Sequence, residues 1–195
     1  MKNIVLLVLY LSLMLRNFTV ALENVGTSFE LINSQDRIYK AVNPKSSIIE
    51  IAITGTFGEV QEYFEKKNWS DGITITPPTT DKIEKYLLFT PYQRDKILVN
   101  DATTYNVAVN AVMSGCSPQM MPLCIAITEA IGNNEIVNSL KSSHATTPYA
   151  WINGPIGRQL GLDFGQGMIS DVNNKALARF INLALLNIIG INIIN

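Results

Sequence analysis

The 195-residue chain has little of what metal sites and disulfide frameworks need, since it contains one histidine and two cysteines. Structural zinc sites usually take four cysteine or histidine ligands, so His144, Cys116 and Cys124 are too few to build one. Two cysteines can close one bridge at most, which excludes the disulfide-rich scaffolds of small secreted domains. We therefore expect no metal site and no other cofactor.

The chain also lacks an excess of positive charge, with 15 Lys and Arg against 16 Asp and Glu. Nucleic-acid surfaces neutralise phosphates with surplus basic side chains, so the composition predicts no nucleic-acid partner. Charge is especially sparse in the second half, because residues 22–100 carry 20 charged side chains and residues 101–195 carry nine. The second half therefore requires either burial or a partner that covers it.

The N-terminus has the pattern of a secretory signal peptide. A short basic start, Met1–Asn3, precedes the apolar run Ile4–Leu15, and Thr19–Ala21 supplies small residues for cleavage. The apolar run reaches about 18 Å as a helix, short of a bilayer core of roughly 30 Å. We expect residues 1–21 to be removed near Ala21 and the protein to be secreted or exported, without a stable membrane span after cleavage. An uncleaved anchor or an ordinary N-terminal helix is the alternative.

No repeat, low-complexity tract or linker interrupts residues 22–195, so we expect one domain there. Ser47–Ile53 has the composition of a buried strand ending at Gly55, and Tyr149–Asn153 that of a second strand. Thr56 and Glu59 have capping-box spacing at the start of an amphipathic helix over residues 57–67. Further helices are expected over residues 80–88, 101–114 and 117–131, and from Asn173 onward. The fold class is therefore α/β, with α+β as the alternative: a small sheet and a mostly helical C-terminal half.

Cys116 is the strongest candidate for chemistry because it lies just before a predicted helix N-terminus. Unpaired amides and the helix dipole favour a thiolate there, and the thiolate is the reactive form of sulfur. A buried, inert thiol is the alternative interpretation. Cys124 lies on the following helix, in an apolar segment typical of a core. Residues eight apart on one helix are about 12 Å apart by rise, so we expect the two cysteines to remain unbridged.

Other residue types suggest a ligand site. His144, in a polar stretch, is either a general base for Cys116 or an ordinary exposed loop histidine. Asn153 and Gly154 end a predicted strand and open a helix bearing Arg158, an arrangement that would suit an anionic group. The segment matches no phosphate-loop motif, so an ordinary turn is the alternative.

A narrow polar stripe follows the predicted helix over residues 101–114. Its members recur at helical spacing and are Thr103, Asn106, Asn110 and Ser114. The stripe is either a solvent-exposed face or the polar wall of a cavity leading to Cys116.

Three stretches carry a family resemblance: residues 67–72 (KNWSDG) with Pro77–Thr79, residues 106–116 (NVAVNAVMSGC) and residues 151–156 (WINGPI). They resemble an uncharacterised bacterial domain associated with the UGSC-motif selenoprotein group, whose segments read GWTDG…PPT, VAVNAVMAGC and VNGP. The resemblance covers roughly residues 58–190. It implies a family pattern comprising Trp69, Asp71, Gly72, Asn110, Cys116, Asn153 and Gly154. It implies no reaction, and the UGSC motif itself does not occur here.

Two hypotheses about function follow, and whether the protein is an enzyme stays open between them. The first is a thiol-dependent enzyme, redox or nucleophilic, that acts on a small molecule through Cys116 with His144 as its base. Its substrate would be bound by Trp69, Asp71, Asn110, Asn153, Gly154 and Arg158. The second is a non-catalytic domain that binds a small molecule, or assembles as a homo- or hetero-oligomer through its sparsely charged C-terminal half.

Overall fold

The computed structural model describes residues 37–141, 148 and 150–191. The predicted signal peptide, His144 and residues 22–36 of the predicted domain lie outside the described residues. The chain divides at Arg37, and Ile38–Asn195 is one compact unit.

The strands form two small antiparallel sheets of two strands each. In the first, β1 (Tyr39–Val42) pairs with β2 (Ile51–Gly55), and in the second, β3 (Ile97–Val99) pairs with β4 (Ala102–Thr103). The Val42 amide also donates to the Pro78 carbonyl at 2.9 Å, which joins the first sheet to the segment before the second helix.

The described chain contains seven α-helices. They are α1 (Phe57–Lys66), α2 (Thr80–Leu87), α3 (Thr104–Ser114), α4 (Met121–Ile131), α5 (Asn134–Leu140), α6 (Pro155–Gln159) and α7 (Val172–Ala184). A 3₁₀ turn, Pro118–Met120, precedes α4, and a π-helical turn, Leu185–Ile189, continues α7. The predicted fold class is confirmed as a compact mixed α/β fold with a helical second half.

Helix α3 is the centre of the molecule. All of its residues are buried, and α2, α4 and α7 pack against it. It ends at Gly115, whose φ of 82° is the left-handed conformation that glycine adopts without steric cost. Charged side chains are therefore scarce in α3 because the helix is buried within the fold. For the sparsely charged second half of the chain, burial and a covering partner were the two expected explanations.

The helix predictions are confirmed closely, and so is the first capping box. Glu59 accepts a hydrogen bond from the Thr56 amide at 2.7 Å, while the Thr56 hydroxyl accepts from the Glu59 amide at 3.4 Å. These bonds join residues three apart, so the local sequence is sufficient to specify them.

The prediction of a buried strand over Ser47–Ile53 is wrong in extent and burial. Strand β2 begins only at Ile51, and the side chains of Ile48 and Ile49 are 70% and 45% exposed. The reason is that β2 pairs with β1 alone and α1 packs against it, while Ile48 and Ile49 lie in the loop before it. An apolar run alone cannot distinguish a covered strand from an uncovered one.

The predicted strand at Tyr149–Asn153 is also wrong. Tyr149 lies outside the described residues, and residues 150–153 have no regular secondary structure. A strand needs a partner ladder for its backbone groups, and no described strand pairs with residues 150–153.

Among the described helices, none combines the length and apolar character that crossing a bilayer requires.

Candidate functional site

The predicted site residues lie in three neighbourhoods, the first of which surrounds Cys116 at the corner between α3 and α4. After the left-handed Gly115, the Cys116 amide donates back to the Ala111 carbonyl at 3.2 Å. The Ser114 hydroxyl donates to the Cys116 sulfur at 3.3 Å, and the Tyr86 hydroxyl on α2 donates to the Cys116 carbonyl. Only 2% of Cys116 is exposed, so this thiol lies beneath the surface of the corner.

Cys124 lies on α4, as expected, whereas Cys116 lies in the loop after Gly115. The expected separation by the rise of a single helix therefore does not apply to this pair. Both cysteines are free thiols and both are buried. The chain reverses through the 3₁₀ turn at Pro118–Met120, so α4 returns along the end of α3.

The environment separates the acidities of the two thiols. The hydrogen bond with Cys124 lowers the pKa of Cys116, and that from Ser114 adds to this effect against the cost of burial. Burial and the bond to Cys116 raise the pKa of Cys124 well above its ordinary value. Burial, together with the two nearby sulfurs, raises the pKa of Tyr86 to about 12. Cys116 is therefore the thiol that ionises first.

The second neighbourhood contains Trp69 and Asp71, in the loop after α1. The Trp69 ring packs edge-to-face against Phe64, with centroids 5.5 Å apart, and against Tyr63 at 5.9 Å. The Asp71 carboxylate accepts two-pronged hydrogen bonds from Arg179 on α7, at 2.8 Å from Nη2 and 3.0 Å from Nε. Only 3% of the Asp71 side chain is exposed. In this arrangement both residues hold the loop in place.

Arg179 completes this attachment and was missed by the sequence reasoning. Its guanidinium also donates to the carbonyls of Ile73 and Thr74, the latter at 2.7 Å. The available signal was a cation in the mainly apolar second half of the C-terminal helix. A long cationic side chain there must either reach solvent or find an anion, and here it finds Asp71.

Asn110 connects this loop to the centre of the fold. Its amide group donates to the Asn106 carbonyl at 2.9 Å and its side-chain oxygen accepts from Asn187 at 2.9 Å. Asn187, in the π-helical turn, also donates to the Trp69 carbonyl at 3.0 Å. All four members of the polar stripe are buried, which excludes the solvent-face alternative. The stripe instead supplies hydrogen bonds between core elements.

The third neighbourhood is a groove on the outer side of α4. It has a volume of about 540 Å³, and the walls come from α4 on one side and residues 150–153 on the other. Helix α4 contributes Leu123, Ala126, Ile127 and Ala130, and the facing wall contains Trp151, Ile152 and Asn153. None of the described residues that line the groove is charged.

The anion site expected at Asn153 and Gly154 is not supported by the hydrogen bonds. Gly154 has the left-handed φ of 99°, but its amide donates to the side-chain oxygen of Asn153 at 2.8 Å. The side chain of Arg158, on α6, is exposed and does not line the groove. The ordinary turn alternative describes this segment better.

The structure thus brings Asn153 into the groove, while Trp69, Asp71, Asn110 and Cys116 lie outside its lining. Within the described ranges, no group of three or more His, Cys, Asp or Glu side chains is placed to hold a metal ion.

In comparisons with known proteins, no protein-family model, no curated protein and no solved structure matches this chain.

Proposed function

We propose that this domain binds a small, uncharged, apolar molecule in the groove beside α4. The observation that carries the proposal is the cavity itself, with its volume of about 540 Å³ and its aliphatic and aromatic walls. Small-molecule sites typically have volumes of roughly 300–1,000 Å³ and are mainly apolar, with a few polar groups that orient the ligand. This is the small-molecule form of the non-catalytic hypothesis.

The composition of the lining determines the class of ligand. Leu123, Ala126, Ile127 and Ala130 recur at the spacing of one helix face, so they form a continuous apolar surface. A charged ligand would lose its hydration there without gaining a counter-charge, which disfavours acids and amines. The Asn153 side chain, at the end of the facing wall, offers the ligand one polar contact.

A neutral dye tests the proposal. N-phenyl-1-naphthylamine fluoresces strongly when it enters an apolar site, so titration of the protein should give a saturable rise in fluorescence. Ala126→Phe places a ring inside the groove and should abolish that rise. Glu129→Phe is the matched control, because Glu129 is exposed on the same helix but outside the lining.

Equal dye binding by Ala126→Phe and the wild type would refute the groove as a ligand site. The assembly form of the hypothesis makes a different prediction. A protein that self-associates through this face would show a concentration-dependent mass, and Ala126→Phe would lower that mass.

Thiol-dependent chemistry at Cys116 is the second candidate function. The hydrogen bonds from Cys124 and Ser114 favour it, because they lower the pKa of Cys116. Its slight exposure means that reagents reach the sulfur only when the α3–α4 corner opens. Native protein treated with iodoacetamide at neutral pH should be modified at Cys116 before Cys124. Modification only after unfolding in urea would rule this candidate out.

Two further proposals depend on the sequence. Residues 1–21 support export with cleavage near Ala21, so N-terminal sequencing of the exported protein should begin at Leu22. Any other N-terminus would contradict the cleavage site.

Membership in the UGSC-associated group is supported by three stretches of the sequence: KNWSDG, NVAVNAVMSGC and WINGPI.

A further inference from the structure

Residues 161–172, which join α6 to the first residue of α7 and are called the apolar loop below, expose large apolar side chains to solvent. Ile169 is 83% exposed and Val172 is 69% exposed, and Phe164 and Met168 are also exposed. Single exposed apolar residues are common on protein surfaces, whereas several in one short loop are typical of a surface that meets a partner.

Hydrogen bonds hold the apolar loop in a fixed shape. The Asn174 side chain on α7 donates to the Asp163 carbonyl at 2.8 Å and to the Met168 carbonyl at 3.0 Å. The Phe164 ring lies against α6, because a Cβ added at Gly157 would come within 2.3 Å of it. The apolar side chains are therefore presented by an ordered loop, which loses little conformational entropy when a partner covers it.

The exposed charges that flank the apolar loop are positive. Arg158 on α6 and Lys175 on α7 are both exposed. Asp163 and Asp171 are half-buried, and each accepts a hydrogen bond from a backbone amide, at 2.7 Å and 2.8 Å respectively. Among the described residues 159–174, no charged side chain is exposed. An apolar surface with cationic edges is complementary to an anionic partner that has an apolar interior.

We propose that the apolar loop docks on the surface of a lipid membrane that contains anionic headgroups. Its apolar side chains enter the boundary between headgroups and acyl chains, while Arg158 and Lys175 remain among the phosphates. Four such side chains expose on the order of a few hundred Å², whereas a standard protein interface buries roughly 800 Å² per partner, so a second copy of the chain fits this surface less well. The docking is independent of ligand binding in the groove and of thiol chemistry at Cys116.

Quenching by brominated lipids tests the docking with a reporter on the loop itself. Trp69→Phe with Trp151→Phe removes both native tryptophans, and Ile169→Trp then places the only indole on the apolar loop. The readout must be local, because the apolar run Ile4–Leu15 can itself bring the full chain to a vesicle. We expect vesicles of brominated phosphatidylcholine and phosphatidylserine to reduce the fluorescence, and vesicles of brominated phosphatidylcholine alone to reduce it less.

Leu88→Trp in the same background is the matched control. Leu88 follows α2 and is 83% exposed, as Ile169 is, but it lies near exposed charges of both signs, Glu84 and Lys85. Brominated vesicles should leave the fluorescence of this reporter unchanged. Circular dichroism checks that both reporter chains fold.

A further substitution tests the contribution of positive charge. A basic side chain near an anionic membrane surface strengthens binding about fivefold, so Lys175→Gln in the Ile169→Trp reporter chain should raise the vesicle concentration that gives half of the quenching by about that factor. Lys85→Gln, which removes an exposed cation away from the loop, should leave that concentration unchanged.

Three results would overturn the proposal. Absence of quenching at position 169 would show that the loop does not enter the bilayer, and equal quenching at positions 169 and 88 would show that the loop is not the docking surface. Equal quenching with and without phosphatidylserine, unaffected by Lys175→Gln, would exclude recognition of anionic headgroups. A wild-type mass that rises with concentration and is lowered by Ile169→Asp would assign the loop to contact between copies of the chain, which would also overturn the proposal.

Discussion

At the scale of single residues, the ion pair between Asp71 and Arg179 has a structural role where the sequence suggested a binding role. Both side chains are largely buried, with exposed fractions of 3% and 15%. Each charge has lost much of its hydration, so each depends on the other and on the carbonyls of Ile73 and Thr74.

Removing the cation should therefore destabilise the fold strongly. Arg179→Met leaves the Asp71 carboxylate buried without its partner, and we expect a loss of about 3–5 kcal/mol in the free energy of unfolding. Urea titration followed by circular dichroism measures this loss. The double variant Asp71→Asn, Arg179→Met removes both charges and should recover part of it. A loss below about 1 kcal/mol in the single variant, the range of exposed pairs, would contradict this role.

Tyr86 gives a prediction about pH. Its folded pKa of about 12 exceeds its unfolded value of about 10, so the folded state holds the phenol proton more tightly than the unfolded state does. The contribution of the phenol to stability is complete below pH 10 and is lost as the pH rises towards 12. Tyr86→Phe, which lacks the bond to the Cys116 carbonyl, should be less stable than wild type at neutral pH.

The measurement compares urea unfolding of wild type and Tyr86→Phe at about pH 8 and at about pH 11. Ionisation of the other groups affects both proteins equally, so it cancels when their unfolding free energies are subtracted. The difference in unfolding free energy should shrink at the higher pH. A difference that stays constant would mean that the phenol does not ionise with a raised pKa.

At the scale of elements, the end of α3 determines where Cys116 lies. Gly115 turns the chain at a φ of 82°, and a Cβ built at this position meets no atom within 4 Å. The requirement for glycine is therefore one of backbone conformation and not of space.

Two glycine substitutions test this distinction. Gly115→Ala should lower the unfolding free energy by about 1 kcal/mol, because alanine is strained at this φ. Gly58→Ala is the matched control, since Gly58 lies inside α1 with open space around it. Alanine there should raise the unfolding free energy by roughly 0.5–1 kcal/mol. Thermal unfolding separates the two, and equal effects of the two substitutions would refute the conformational requirement.

At the scale of the whole molecule, one buried core links both halves of the described chain. Phe64 from α1, Ile83 from α2 and Phe180 from α7 belong to the same cluster as α3. The loop that carries Trp69 is joined to α7 and to the π-helical turn by Arg179 and Asn187. Such mutual dependence favours unfolding as a single unit.

Cooperativity can be measured with Trp69 as a local probe. The chain contains two tryptophans, so Trp151→Phe leaves Trp69 as the only one. Its fluorescence and the far-UV circular dichroism should change at the same urea concentration. A fluorescence change at lower urea would show that the Trp69 loop opens before the helices.

Local rules explain which parts of the fold the sequence predicts. The capping box at Thr56 and Glu59, the helix over α1 and the helix over α4 were all anticipated, because they depend on residues three or four apart. The predictions of a strand at residues 149–153 and of a buried β2 were wrong, because strand pairing and burial both depend on which distant segment lies alongside.

The candidate site divides in the same way. The position of Cys116 in the loop between two helices was anticipated, since glycine and proline mark that corner. The pairing of Asp71 with Arg179 and the bond between Asn110 and Asn187 were not. These two contacts join residues 108 and 77 positions apart, and short-range periodicity carries no information at such distances.

The sequence by itself determined the scarcity of charge, the absence of a multi-cysteine or multi-histidine zinc motif and most helix boundaries, because composition and short-range hydrogen bonds decide these. Only the tertiary structure decided that the uncharged stretch at α3 is the core. It also decided that Asn153 and Cys116 belong to different neighbourhoods. The physical reason is that burial and side-chain pairing depend on how helices pack, and packing is a property of the whole chain.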